Sequence, residues 1–149
     1  MSRIIAKCYN HIRDNILKTP LEFNDRLSKL YNTNIFYKRE DLQITRSFKL
    51  RGNLNKVSKI ISKDNDHLNK GFICASAGNH AQGFAFICKK FNLDGTIYVP
   101  KTTPLQKINR IKCYGENNIN IKLFGNNFDE CLNKALETCD NSNNYFIHP

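Results

Sequence analysis

Two segments carry residue types that could do chemistry. The first runs Lys38-Arg39-Glu40-Asp41-Leu42-Gln43 and then Ser47-Phe48-Lys49-Leu50-Arg51-Gly52. Lys49 falls in the first turn of a helix that Ser47 can cap, where the positive end of the helix dipole disfavours a cation. An amine placed there suits a neutral state, or an imine with a carbonyl compound. Taken by itself, Lys49 reads as one more solvated lysine among sixteen. The second segment is Ser76-Ala77-Gly78-Asn79-His80-Ala81-Gln82-Gly83. It lies between an apolar run and a helical pattern, where free backbone N–H groups at a helix start can hold a carboxylate or phosphate. Gly78 lets the backbone approach a ligand closely, and Ser76 and Asn79 add a hydroxyl and an amide. The segment is not a P-loop, because Phe84-Ala85 replaces the Lys-Ser/Thr pair, and it lacks the G-x-G-x-x-G spacing. An ordinary strand-to-helix turn is the other reading.

The elements that must position these segments alternate between two periods. Residues 34–38, 72–75, 96–99, 119–124 and 145–147 read as strands. Between them lie helical patterns: Leu50, Leu54, Val57 and Ile61; then Ala81, Ala85 and Cys88; then a helix opened by Thr103-Pro104 and closed at Gly115. Asn127 with Glu130 three residues later predicts a capping box for a helix through Leu132, Ala135 and Cys139. Such alternation calls for an α/β fold, a parallel sheet with flanking helices and right-handed crossovers. In that fold, the loop at a strand's carboxyl end is the default ligand site. The first 34 residues are less regular, with a break at Thr19-Pro20-Leu21 before an amphipathic Leu27-Leu30-Tyr31 stretch.

Composition removes several classes. The chain has 149 residues, 40% apolar and 24% charged, which fits one folded domain. Its mean hydropathy is −0.52, and no apolar run nears the roughly 18 residues of a membrane helix. Met1 to Lys7 holds too few apolar residues for a secretory signal. A cytoplasmic protein, not bound to membrane, is therefore expected. The net charge of +10 invites nucleic acid as a partner. However, 16 Lys, 16 Ile and 21 Asn against 6 Ala point to A- and T-rich codons, and the charges are scattered without a recognition motif. No nucleic-acid binding is expected. The six cysteines and four histidines show no ligand spacing, so no metal is expected; Cys74, Cys88, Cys131 and Cys139 read as buried thiols.

The two segments together resemble the pyridoxal-phosphate enzymes of fold type II, the tryptophan-synthase-like family, and within it the threonine/serine dehydratases. KREDLQ, SFKLRG and SAGNHAQG stand in that family's order and spacing. GNNFDECLNKALE resembles its G-x-NFDEA segment, and KTPL its early TPL. The resemblance runs from about Thr19 onward. It implies pyridoxal 5'-phosphate as cofactor and a lyase reaction, L-threonine to 2-oxobutanoate and ammonia, the first step of isoleucine synthesis. L-serine is the other substrate candidate. By the same resemblance, Lys49 is the catalytic lysine that binds the cofactor covalently and later moves the substrate's Cα proton. Phe48 lies beside the cofactor, Asn79 hydrogen-bonds its phenolic oxygen, and Ser76, Ala77, Gly78, Asn79 and His80 grip the substrate carboxylate. Similar racemases carry a second catalytic serine where this chain has Ala77, and a methyl group cannot carry a proton. The cysteine-synthase branch would have threonine instead of His80.

Two departures lie beside Lys49: Ile44-Thr45-Arg46 replaces a proline-containing triplet, and Asn53 stands where alanine is common. Either compositional drift or a weakened site would follow. Family members are longer, and no G-G-G-G phosphate loop occurs here. The resemblance implies that residues 1–68 are the leading piece of the large cofactor-binding domain and 69–149 most of the small domain, with the fold incomplete at its C-terminal side. The expected partners are copies of the chain, as in the family's tetramers, or a complementing C-terminal chain. An inert remnant or a binding module is the alternative of a different class.

Overall fold

The computed structural model describes residues 3–149; Met1 and Ser2, which open the stretch read as lacking a secretory signal, lie outside them. Four strands, β3 (Phe72–Ala75), β4 (Gly95–Val99), β5 (Ile119–Leu123) and β6 (Tyr145–Phe146), form a wholly parallel sheet in the order β5-β4-β3-β6. Helices α4 (Asn79–Phe91), α5 (Leu105–Gly115) and α6 (Phe128–Ser142) connect them.

The period of two along β3 divides the core. Phe72 and Cys74 point to one face and join Leu50, Leu54, Val57, Phe84, Ile87, Ile97 and Ile111. Ile73 and Ala75 point to the other and meet Tyr98, Cys131, Ala135 and Cys139 of the α6 side. All four β3 residues are buried, as a strand covered on both faces requires. The four cysteines expected inside are buried there as free thiols. Burial pushes the Cys74 and Cys88 thiols above their usual range.

Helix ends follow the local chemistry. Asn127 Oδ1 accepts from the Glu130 N–H at 3.0 Å, while the Glu130 carboxylate accepts from the Asn126 N–H at 2.9 Å, so the predicted box forms with its return bond one residue earlier. Asn92 and Asn143 end α4 and α6 in the left-handed conformation, with φ of 52° and 50°. Pro104, expected as the first helical residue, is instead the cap before α5. At the other end of that helix the positive φ falls on Glu116 and not on Gly115; Gly115 is small because a Cβ would lie 2.6 Å from Ile119.

The strand predicted at 34–38 does form, over Phe36–Lys38 (β2), but it does not join the parallel sheet. It pairs antiparallel with β1 (Leu21–Phe23) as a separate two-stranded ribbon. Period alone does not tell a two-stranded ribbon from a sheet strand, and the partner, only three residues long and directly after Pro20, carries no strand signal of its own. Between them α2 (Asp25–Leu30) is capped by Asn24, whose Oδ1 accepts from the Leu27 N–H at 2.8 Å. Leu30 and Tyr31 stay exposed. Helix α1 (Arg3–Ile12) packs on α3 (Lys49–Lys63), and α3 crosses α4. Among the described residues no helix is long and apolar enough to cross a membrane.

Candidate active site

The sheet reverses its direction of growth at β3. The chain leaves β3 for β4 on one side, and β6 later returns to the other. In open parallel sheets the crevice at the carboxyl ends of the strands flanking such a reversal is where ligands bind. Here that crevice is built by the loop 76–78 after β3 and by residues 147–149 after β6.

Lys49 reaches it from the side, as the first residue of α3. Its N–H donates to the Ser47 hydroxyl at 3.2 Å, but the cap position expected of Ser47 is taken by Phe48, one residue later, whose side chain makes no capping bond. The helix behind it is held by Leu50, Leu54 and Val57 in the core. It is also held by Arg51, whose Nε and Nη2 donate to the Glu40 carboxylate at 2.9 and 2.7 Å. The Lys49 amine makes no hydrogen bond among the described residues and lies 5.8 Å from the centre of the exposed Phe48 ring. Lys49, Phe48, Asn53, His80, Ile147 and His148 line one cleft of about 440 Å³.

His80 is buried in the wall of this cleft. Its Nε2 donates to the Ile147 carbonyl at 3.0 Å; a carbonyl only accepts, so this nitrogen carries the proton. Burial pushes the imidazole pKa down to about 4, and the positive charges of Lys49 and His148 push the same way. His80 is therefore neutral near pH 7.

The loop itself is a tight turn. The Ser76 N–H donates to the Tyr98 carbonyl at 3.1 Å, and the Ser76 hydroxyl accepts from the Gly78 N–H at 3.2 Å. Gly78 is extended, with nothing within 4 Å of the place a Cβ would occupy, so the space in front of it is open. Asn79 starts α4, whose first-turn N–H groups have no acceptor within the helix. Ala77, Gly78, Asn79 and Gln82 face Lys107 and Arg110 of α5 across a second cleft of about 860 Å³ that no acidic residue lines.

Of the seven residues singled out in the sequence, Phe48, Lys49 and His80 thus share one cleft, and Ala77, Gly78 and Asn79 line the next. Ser76 lies at the root of the loop, with its hydroxyl engaged. The residues overlooked are those that hold these in place. Gln43 clamps Leu17 through both its N–H and its carbonyl, each at 2.9 Å, and Thr19 donates to Glu40 at 2.6 Å. Asn53, flagged only as a departure, is buried and donates to the His80 carbonyl at 3.0 Å. Its spacing of four from Lys49 on one helix face is the signal that could have found it. In the other departure, Arg46 takes a left-handed φ of 57°, and the buried Thr45 hydroxyl has no hydrogen-bond partner among the described residues.

A free amine on a cleft wall, an aromatic ring beside it and N–H groups and cations facing a neighbouring cleft fit a ligand that carries both a carbonyl and an anionic group. Among the described residues no group of three or more His, Cys, Asp or Glu side chains could hold a metal ion.

Comparison with known proteins agrees with this chemistry. The sequence profile described as "Pyridoxal-phosphate dependent enzyme" matches residues 12–149. The biosynthetic L-threonine dehydratase IlvA of Bacillus subtilis is 46% identical over 145 residues, 97% of this chain and 34% of the relative. The structure of the processed form of threonine deaminase isoform 2 from Solanum lycopersicum superposes with a TM-score of 0.83 at 36% identity, covering 99% of this chain and 40% of that one. A pyridoxal 5'-phosphate-dependent aspartate racemase superposes with a TM-score of 0.86 at 26% identity, covering 97% and 44%. The chain spans about a third of the length of the curated relatives it matches.

Proposed function

The chain belongs to the pyridoxal-phosphate-dependent enzyme family, and from that premise we propose that it is the N-terminal part of a lyase that converts L-threonine to 2-oxobutanoate and ammonia. The observation that carries this reading is that Lys49 shares a cleft with His80 where the sheet reverses, while Ala77, Gly78 and Asn79 line the next one. The 46% identity to a biosynthetic threonine dehydratase supports the choice of substrate. L-serine is the second candidate.

Pyridoxal phosphate, when bound, supplies an electron sink for the bond broken at the substrate's Cα. The chain's own residues do the rest. The Lys49 amine would hold the cofactor and, when free, would take the proton from the substrate's Cα. Phe48 would lie beside the cofactor, and Asn79 would donate to its phenolic oxygen. The N–H groups of the 76–80 segment hold the substrate carboxylate and so fix which Cα bond faces Lys49. Neutral His80 adds no second positive charge beside the amine. Ala77 presents only a methyl group, which cannot carry a proton to the opposite face of Cα, and this favours elimination over the racemisation of the structural neighbour. The β-hydroxyl would leave as water with the proton taken from Cα, and hydrolysis of the released enamine would give 2-oxobutanoate and ammonia.

In this reading residues 69–149 make up most of a small domain and 1–68 the leading piece of a larger one. The reaction opens isoleucine synthesis in the cytoplasm, within a homo-oligomer or with a complementing C-terminal chain. The test is borohydride reduction of the native protein with pyridoxal phosphate, followed by intact mass and mapping of the labelled lysine. A label at Lys49 supports the reading, and its absence overturns it in favour of an inert remnant. A labelled chain of 17.3 kDa marks a split enzyme, and a heavier one a longer dehydratase.

A further inference from the structure

We propose that Asn53 is a positioning residue that sets the Lys49 amine against the 76–80 loop, an inference that rests on the function proposed above. Lys49 and Asn53 stand four apart on α3, one turn from each other on the same face, and both line the 440 Å³ cleft. The Asn53 side chain is 3% exposed, and its Nδ2 donates to the His80 carbonyl at 3.0 Å. That carbonyl belongs to the first turn of α4, directly after the loop. One buried bond therefore joins the helix that carries the amine to the helix that follows the loop.

The packing around this bond is built for it. A Cβ on Gly83 would lie 2.8 Å from Asn53 Nδ2 but in ordinary contact, 3.4 Å, with the Leu50 backbone, so it is the Asn53 amide that needs position 83 bare. Gly83 leaves room for the amide, and the amide fills the room. The His80 ring is fixed from the opposite side by its bond to Ile147, so the loop's end is held at two points. An alanine at 53 would remove the tether and open a gap beside Gly83. The two helices could then slide, and the reactive amine of Lys49 would shift relative to the loop. Sub-ångström placement of reacting groups governs rates steeply.

The experiment compares the unaltered 149-residue chain with Asn53→Ala, Gly83→Ala and the double variant. The probe is pyridoxal phosphate with borohydride, and the readouts are the Lys49 labelling rate relative to an exposed lysine and the melting temperature. Gly83→Ala alone is expected to lower the melting temperature by forcing the clash. Asn53→Ala is expected to slow Lys49 labelling about tenfold or more. The double variant refills the gap, since the methyl group of residue 83 no longer meets an amide. It is expected to recover the melting temperature while labelling stays slow, and it carries the test should Asn53→Ala fail to fold. Labelling that returns together with the melting temperature, or that never falls in a folded Asn53→Ala, overturns the proposal and reduces Asn53 to packing. No label at Lys49 in the unaltered chain overturns the functional reading itself.

Discussion

Glu40 and Arg51 meet in a two-point ion pair, with Nε on one carboxylate oxygen and Nη2 on the other, at 2.9 and 2.7 Å. Glu40 also accepts from the Thr19 hydroxyl at 2.6 Å, so a single half-buried carboxylate ties the N-terminal segment to the helix of Lys49. The Arg51 bond, then that of Thr19, holds the Glu40 carboxyl below its usual pKa. A lowered carboxyl pKa gives stability that is present above the unfolded value and is lost as pH falls through the folded one. Glu40→Gln is expected to cost about 1–2 kcal/mol in urea denaturation near pH 7 and to flatten the loss of stability below about pH 4.5. Equal midpoints for variant and parent would contradict this.

His80 gives a second pH dependence, with its own window. Its folded pKa of about 4 lies below the ordinary 6.5, so the unfolded chain binds the proton first as pH falls. Its contribution is intact above pH 6.5 and is lost progressively toward pH 4, by about 3 kcal/mol in all. Denaturant midpoints between pH 7 and 4 should fall less steeply in His80→Gln than in the parent. Parallel slopes in the two proteins would place the imidazole in solvent.

Removal of the reactive amine should be silent for the fold. Among the described residues the Lys49 amine makes no hydrogen bond, and it lies 5.8 Å from the centre of the Phe48 ring. Lys49→Ala is expected to shift stability by no more than about 0.5 kcal/mol and to abolish borohydride-fixed cofactor at α3. Labelled peptide from α3 in that variant would show that another lysine does the chemistry.

Core truncation should act in the opposite way. Phe84 is fully buried between α4 and the sheet. Phe84→Ala is expected to cost about 3–5 kcal/mol through the cavity it leaves, read as a large drop in melting temperature.

Thiol accessibility checks the layers directly. Cys113 is exposed and Cys8 partly so, while Cys74, Cys88, Cys131 and Cys139 are buried. In native protein a thiol reagent should react with Cys113 and Cys8, and with the other four only after denaturation. Fast reaction at Cys74 would mean that β3 is not the covered central strand.

Much of this architecture was legible in the sequence because its signals are local. The stripe Leu50-Leu54-Val57, the β3 run and the Asn127–Glu130 cap each rest on residues a few positions apart, and each forms where expected. What could not be read depends on distant partners. The Phe36–Lys38 strand has the right period but pairs with Leu21–Phe23, a partner too short to announce itself. Lys49 was found because its motif is contiguous. Asn53 was seen only as an oddity, because its partner is a backbone carbonyl 27 residues away. Likewise, the bond from His80 to Ile147 spans 67 residues that the pattern of side chains does not connect.

That last separation bears on how the protein is made. β3 is completed early in synthesis, with β4 soon available on one side, but the edge that receives β6 stays open until residues 145–147 leave the ribosome. Until then an apolar Phe-Ile-Cys-Ala strand offers unpaired backbone to any passing chain, and His80 lacks the carbonyl that orients its ring. Among the described residues, the ligand crevice is therefore completed only once β6 has paired with β3. A pause or break in translation just before residue 145 would release a polypeptide that retains most of its sheet yet presents a sticky edge where its binding site should be.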